Sequence, residues 1–356
     1  MKELNFEPVM GSERTAYFDY LKLLQYFFLM VVHTASYQWY STDIHSTSWL
    51  VLNFYKSSTR PCVLIFFMIS GALMLGKDIP IKILYRKYVL RLVIVFIAWD
   101  IIYAVITYWS DGLPGIIFKL FNSNYHLWYL LAMIGLYICF PLMKLIAENE
   151  KLMRYFMILS ACFAFFLPTV FELITAFGTD APAHWAEMIT GHFYDMHMTT
   201  VMGYPFFFIA GYYIHTYGID KVPRRIIYAL GIISTISGAL INALFVRMQG
   251  TPIDTFNNSF MLYEMIPAIA VFTFFKYNVK GNVRLDKIVY RVSAWGLGIY
   301  MVHDLVIQGL NAFLGLNAMS FNPILAVPVV GLIALIVCII ISGLLNLIPW
   351  VKDHLV

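Results

Sequence analysis

The sequence predicts an all-α membrane protein of about ten transmembrane helices, with both termini on the cytoplasmic side. Three observations predict it. First, 61% of the 356 residues are hydrophobic and 12% are charged, against roughly 25% charged in soluble domains. A soluble fold could not bury so many Phe, Tyr, Met and Ile side chains. Second, apolar runs close to the ~20 residues that span a hydrocarbon core recur along the whole chain. Third, Lys and Arg concentrate in alternate links between those runs, as the positive-inside bias of a multi-pass protein requires.

The runs cover residues 16–36, 59–76, 88–109, 126–146, 153–172, 199–217, 226–246, 260–276, 290–310 and 323–349. The ninth is interrupted by Gly296, Gly298 and Gly309. The longest polar connection is about 173–198, so the chain reads as a single integral-membrane domain, 1–356. With the N-terminus inside, the 24 Lys and Arg residues fall on the cytoplasmic side except Lys56, Arg60, Lys119 and Arg247. Lys2, Arg14 and Lys22 open that cytoplasmic set. Glu3, Glu7 and Glu13 precede the first run and no small-residue cleavage site follows it, which argues against a cleavable signal peptide. The net charge of +4 matters less than its distribution, and no nucleic-acid partner is expected. Cys62, Cys139, Cys162 and Cys338 lack paired spacing and point to neither disulfides nor a metal. Trp39, Trp49, Trp99, Trp109, Trp128 and Trp185 fit an outer interfacial belt. No internal repeat is apparent, which weakens a transporter reading.

The first run, Tyr17 to His33, carries Asp19, Lys22 and His33 inside an apolar helix. Lys22 and His33 are eleven positions apart, which at ~100° per residue places both on one face. At ~1.5 Å per residue they stand about 16 Å apart along the axis. With the N-terminus inside, Lys22 lies near the cytoplasmic surface and His33 in the outer half of the membrane. An intramembrane ionisable residue is a functional candidate, and imidazole suits general-base work near neutral pH. Asp19 and Lys22 are spaced to pair on the same face.

Further candidates flank this line. The link after the second run holds Lys82, Arg86, Lys87 and Arg91, either simple positive-inside bias or a cytoplasmic pocket for phosphates. Lys276–Arg291 forms a second basic cluster with the same ambiguity. No Walker or dinucleotide pattern occurs. On the outer side stand Arg60, His126 with Trp128, and His303–Asp304. His303 comes at about the depth of His33, and Asp304 and Glu264 are further acids within apolar runs. The stretch 172–195, with four acids, His184, His192 and no Lys or Arg, suits a substrate rim or a plain connector.

These segments, in this order, resemble the family-3 membrane acyltransferases. Asp19, Lys22 and His33 match an opening signature of Asp, then Arg or Lys three residues on, then ten residues and His. RPCVLIFFMISGALML from Arg60 is similar to the family's second helix. HLWYLLAMIGLYICFPL, GYPFFFIAGYYI and GLGIYMVHDL match later blocks. Lys22 stands where Arg is frequent, Asp304 where many members carry Pro, and Lys87 with Arg91 approximates a paired-arginine pattern. The likeness is nearest to short bacterial members that O-acetylate surface polysaccharides such as enterobacterial common antigen. The resemblance implies a bacterial inner-membrane enzyme that moves an acetyl group from cytoplasmic acetyl-CoA to a glycan or lipid-linked glycan acceptor. It implies His33 and His303 as catalytic and Lys22, Lys82, Arg86, Lys87 and Arg91 as donor-binding. Arg60, His126 and Trp128 would then bind the acceptor, with no metal and with membrane lipids around the helices. Relatives proposed as exporters leave transport as the alternative.

Overall fold

The computed structural model describes residues 16–256, 258–282 and 284–356. Lys2, Arg14 and the three N-terminal glutamates therefore lie outside the described residues. The chain is helical throughout, with no strand among the described residues. Its first helices are α1 (Tyr17–Trp39), α2 (Thr47–Thr59) and α3 (Cys62–Met74). There follow α4 (Ile81–Ile83), a π-turn segment (Leu84–Val89), α5 (Leu90–Tyr108) and α6 (Gly112–Phe121). A 3-10 turn (Tyr125–Leu127) leads into α7 (Trp128–Ile138), α8 (Phe140–Ala147) and α9 (Glu150–Ser160). Next come α10 (Leu167–Phe177), α11 (Asp180–Asp195), α12 (Met198–Tyr217), α13 (Lys221–Gln249) and α14 (Leu262–Asn278). The last four are α15 (Asp286–Ala294), α16 (Gly296–Leu314), α17 (Pro323–Leu345) and α18 (Pro349–His354).

The apolar runs fall largely on helices, and the chain is an all-α membrane protein. Among the described residues, six helical stretches are long and apolar enough to cross a membrane: 47–74, 81–138, 150–177, 221–249, 296–314 and 323–345. Long helices on the rim turn Ile97, Ile101, Ile232, Ile336 and Ile340 outward, as a lipid-facing surface requires.

α1 is the axis. It packs against α2, α3, α14, α15, α16 and α17, and its buried residues lie on every side of the helix. A helix enclosed all round is the one place where Asp19, Gln25 and His33 escape lipid. Polar clamps fix its neighbours. Asn53 of α2 accepts from the Trp39 indole at 3.2 Å and from the Asn242 amide at 2.6 Å, and donates to the Ala239 carbonyl at 2.8 Å. Trp39, Trp49 and Trp99 are buried. The sequence reading assigned them to an interfacial belt; the structure uses them as core, with Trp39 and Trp49 packed 5.5 Å apart.

Two local breaks shape the site. The second apolar run is not the start of a helix, because α2 precedes it and ends at Arg60, where Pro61 begins the next turn. The ninth run divides at Trp295, and α16 then continues unbroken through Gly298 and Gly309. Gly296 and Gly298 serve packing, whereas a Cβ at Gly309 would meet only ordinary contact. A Cβ at Gly296 would stand 1.9 Å from the Tyr26 hydroxyl, and one at Gly298 2.2 Å from the Ser342 hydroxyl.

Candidate active site

His33 sits two-thirds of the way along α1 and forms part of the wall of a cavity of about 570 Å³. Tyr37, Lys56, Arg60, Tyr125, Trp128 and Asp254 share that wall. A second cavity of about 460 Å³ adjoins it through Arg60, Trp128, Asp254 and Ser259, adding Glu172, Tyr204 and Asn258. The two form one polar, aromatic basin at the His33 end of the bundle.

Behind His33 lies a cluster of imidazoles. The His33 and His303 rings are 4.8 Å apart between centroids, and the His303 and His126 rings 5.0 Å. His303 and His126 are buried, at 0% and 2% exposure. His303 Nδ1 lies 2.5 Å from the Tyr300 carbonyl, one turn back on α16. An imidazole nitrogen facing a carbonyl must donate, so Nδ1 carries the hydrogen and Nε2, which finds no partner, holds the lone pair. Neither His126 nitrogen has a hydrogen-bond partner, although Nδ1 stands 3.8 Å from Asp304 Oδ2. The Tyr300 hydroxyl donates to the His126 carbonyl. Tyr125 reaches both His33 Nδ1, at 3.2 Å, and Asp304 Oδ1, at 2.7 Å.

The opposite wall is charged. Lys56, on α2, is 2% exposed. Its ammonium lies 2.5 Å from Asp254 and 3.6 Å over the centre of the Trp39 ring. The Tyr40 hydroxyl donates to the other Asp254 oxygen. Burial and the Asp254 carboxylate both push the Tyr40 phenol above its ordinary pKa, keeping it a donor. Arg60 borders both cavities, and its buried Nε has no partner. Trp128 stacks on Tyr204 at 5.6 Å and 27°.

Lys22 lines a separate, narrower cavity of about 250 Å³, with Tyr26, Phe66, Tyr129 and Tyr300. The two ends of α1 thus open on different cavities, whose lining residues on neighbouring helices differ by about one turn. Val63 and Phe66 on α3 are one such pair, and Tyr125 and Tyr129 another.

The structure therefore brings three of the residues singled out in sequence, His33, Arg60 and Trp128, to the wall of one basin, and stacks two more, His303 and His126, behind His33. It does not gather the donor-side cations in the same way. Lys82 (α4), Arg86 and Lys87 (π segment) are exposed and do not line the Lys22 cavity. Arg91, at the start of α5, donates to the carbonyls of Val356 at 2.9 Å and Lys352 at 3.4 Å. Asp19 accepts the Ser293 hydroxyl at 2.6 Å. In the stretch 172–195, Glu172 lines the second cavity, while His184 and His192 are exposed on α11. Sequence reasoning missed Tyr37, Tyr125, Lys56, Asp254 and Tyr204. Of these, Lys56 is the one readable signal, a lysine nine residues into α2 rather than in a loop.

No curated protein and no solved structure matches the chain. The family model described as an acyltransferase domain matches residues 15–343, nearly the full length. A match of that extent, on a helical membrane protein whose opening helix presents His33 to a cavity, means that the chain belongs to the family-3 acyltransferases.

Proposed function

We propose that the protein transfers an acyl group, most simply acetyl, from cytoplasmic acyl-CoA to a hydroxyl of a cell-envelope glycan or its lipid-linked precursor. The observation that carries this reading is the placement of His33. One helix carries an imidazole into a polar, aromatic basin and, eleven residues earlier, a lysine into a separate cavity. That arrangement suits a donor and an acceptor arriving from opposite sides.

The basin has the character of a sugar site. The stacked Trp128 and Tyr204 rings offer an apolar face for a pyranose, and Ser259, Asn258 and Asp254 offer hydrogen-bond partners to its hydroxyls, a mix typical of ligand pockets. The Lys22 cavity is narrow and aromatic, fit for an extended arm rather than a nucleotide. Lys22 would meet the donor at its mouth, and the exposed Lys82, Arg86 and Lys87 would attract its phosphates. The positive-inside bias supports a cytoplasmic position for this end, with the acceptor meeting the basin from the other side of a bacterial inner membrane.

In the reaction His33 removes the proton of the acceptor hydroxyl as its oxygen attacks the thioester carbonyl. The new C–O bond forms, the C–S bond breaks, and the proton passes from His33 to the departing thiolate. The guanidinium of Arg60 stabilises the oxyanion of the tetrahedral intermediate, whereas His303, whose ring hydrogen is committed to the Tyr300 carbonyl, packs behind His33 and offers it no donor. A covalent acyl-His33 intermediate is the variant of this route; a mass increase of one acyl group on a His33 peptide would mark it.

The test is His33→Ala in membrane vesicles given radiolabelled acetyl-CoA, with incorporation read in the envelope glycan fraction. General-base removal predicts a fall of about 100-fold or more, with insertion and thermal stability retained. Incorporation within about twofold of wild type would overturn the assignment. Thermal stabilisation of the wild-type protein by acetyl-CoA is expected as well; an exporter has no reason to show it.

A further inference from the structure

Asp304 has no task in the reaction as written, yet it is the best-connected side chain at the site. It is 0% exposed and follows His303 on α16. Its Oδ1 accepts the hydroxyls of Tyr37 and Tyr125, the latter at 2.7 Å, and its Oδ2 accepts the Gln308 amide at 2.8 Å. These donors come from three places in the fold: α1, the 3-10 turn before α7, and one turn further along α16. A carboxyl that accepts from three donors is disposed as a carboxylate, which can only accept.

The proton count then runs outward. Tyr125 has one hydroxyl hydrogen, and it points to Asp304. Its oxygen can therefore only accept from the other neighbour, His33 Nδ1, 3.2 Å away. So Nδ1 of His33 carries the ring hydrogen, and the lone pair needed to take a proton is left on Nε2. A phenol is interposed where a carboxylate would otherwise touch the imidazole directly.

We propose that Asp304, acting through Tyr125, holds His33 in the Nδ1–H tautomer and so makes Nε2 the reacting nitrogen. Asp304 and Tyr125 are positioning residues, and the proposal rests on the reading of His33 as the base. When His33 takes the acceptor proton, its Nδ1–H remains hydrogen-bonded to Tyr125, and the carboxylate beyond offsets the imidazolium charge. The charge is stabilised without a proton moving to Asp304. Replacing Asp304 by Asn turns the logic round. An amide hydrogen placed toward Tyr125 makes the phenol donate to His33 Nδ1, and the imidazole must then carry its hydrogen on Nε2, the unreactive arrangement. The same inversion at a directly contacting carboxylate costs about 10⁴-fold in other enzymes; a relay through a phenol should cost less.

The test combines a spectrum with kinetics on the full chain in lipid nanodiscs. Protein labelled with ¹⁵N-histidine is compared with His33→Ala to pick out the His33 signals among the nine histidines. The wild type is expected to show a protonated Nδ1 and an unprotonated Nε2. Asp304→Asn is expected to exchange the two, and Tyr125→Phe to give a mixture. For both variants kcat for acetyl transfer to the envelope glycan fraction should fall about 10- to 1000-fold, with the acetyl-CoA KM within about twofold. A wild-type spectrum with Nε2 protonated overturns the proposal whether or not any variant folds. So does a wild-type kcat in Tyr125→Phe. If instead His33→Ala keeps its activity, the base assignment has failed, and the tautomer spectrum still decides the relay separately.

Discussion

The crossing of α3 and α12 yields a prediction whose size follows from two distances. Gly71 on α3 faces the backbone of Phe208, and Gly211 on α12 faces the backbone of Met68. A Cβ on Gly71 would stand 1.8 Å from the Phe208 carbonyl oxygen, and one on Gly211 2.0 Å from that of Met68. Ordinary contact begins near 3.4 Å, so alanine at either position must part the helices by about 1.5 Å. The obstacle is backbone on both sides, so rotamer changes cannot relieve it, and close small-residue crossings of this kind hold membrane helices together. Overpacking of this sort costs about 1–3 kcal/mol, and rigid neighbours put each variant at the upper end. With about 2.1 cal/mol/K of unfolding entropy per residue, 3 kcal/mol in a chain of this length lowers Tm by about 4 °C. Because one displacement relieves both clashes, the double variant Gly71→Ala/Gly211→Ala should lose less than the sum of the singles. The effect should reach the basin, since Phe67, one turn from Gly71, packs 4.9 Å from Tyr204, the ring under Trp128. Thermal unfolding in nanodiscs measures the first effect and the acceptor KM the second. Singles within about 1 °C of wild type, or strictly additive losses, would refute the reasoning.

Other perturbations separate binding, catalysis and scaffolding. Lys56→Met removes the cation beneath Asp254 and Trp39 and should cost about 1–3 kcal/mol in thermal or denaturant unfolding. Adding Asp254→Asn should recover part of that loss, and a second loss of equal size would show that the two do not couple. Trp128→Ala removes one ring of the stacked pair and should raise the acceptor KM about 2- to 10-fold, from about 0.5–1.5 kcal/mol, with kcat unchanged; a pure kcat effect would count against the sugar platform. Lys22→Ala should weaken acetyl-CoA stabilisation in a thermal-shift titration by about tenfold in apparent Kd, whereas Arg91→Ala, whose guanidinium is committed to the carbonyls of Lys352 and Val356, should lower Tm and leave that titration unmoved.

What the sequence disclosed, and what it withheld, divides along one line. Relations within one helix were legible. Lys22 and His33 share a face because eleven steps of a regular helix leave no choice, and their exposure to separate cavities follows. Of the charges assigned to the outer side, Lys56 and Arg60 border the basin, Arg247 donates to the Ile44 carbonyl, and Lys119 donates to the Ser123 carbonyl just before Tyr125. Relations between helices were hidden. Tyr37 and Tyr125 carry no signal in a chain with 24 tyrosines, and their meeting at Asp304 depends on how α1, α7 and α16 pack. Arg91 sits in a basic stretch that reads as a phosphate pocket, yet it holds main-chain oxygens of Lys352 and Val356, some 260 residues away in sequence, a contact that spacing within the stretch does not reveal. The helix breaks at Arg60–Pro61 and Trp295 were misread as a run's start and as glycine interruptions, since hydropathy does not register where hydrogen bonding stops.

Leaving a buried donor or acceptor unpaired costs about 1–3 kcal/mol. Buried unpaired atoms also occur away from the basin, both ends of the Gln25 amide and the Asn242 oxygen among them, so an unpaired atom alone does not mark a site. The contrast near His33 is sharper: Asp304 is served by three donors, while both nitrogens of His126 and Nε2 of His303 beside it, and Arg60 Nε at the basin wall, are buried and unpaired. A carboxylate left bare among apolar helices is costly; three donors hold this one in place. Imidazoles and a guanidinium left with a nitrogen to spare are groups kept ready to accept or donate. The cluster thus joins a rigid anion to unpaired imidazoles, and in an acyltransferase that combination supports the proposed chemistry at the His33 end of α1 rather than along the basic link between α3 and α5.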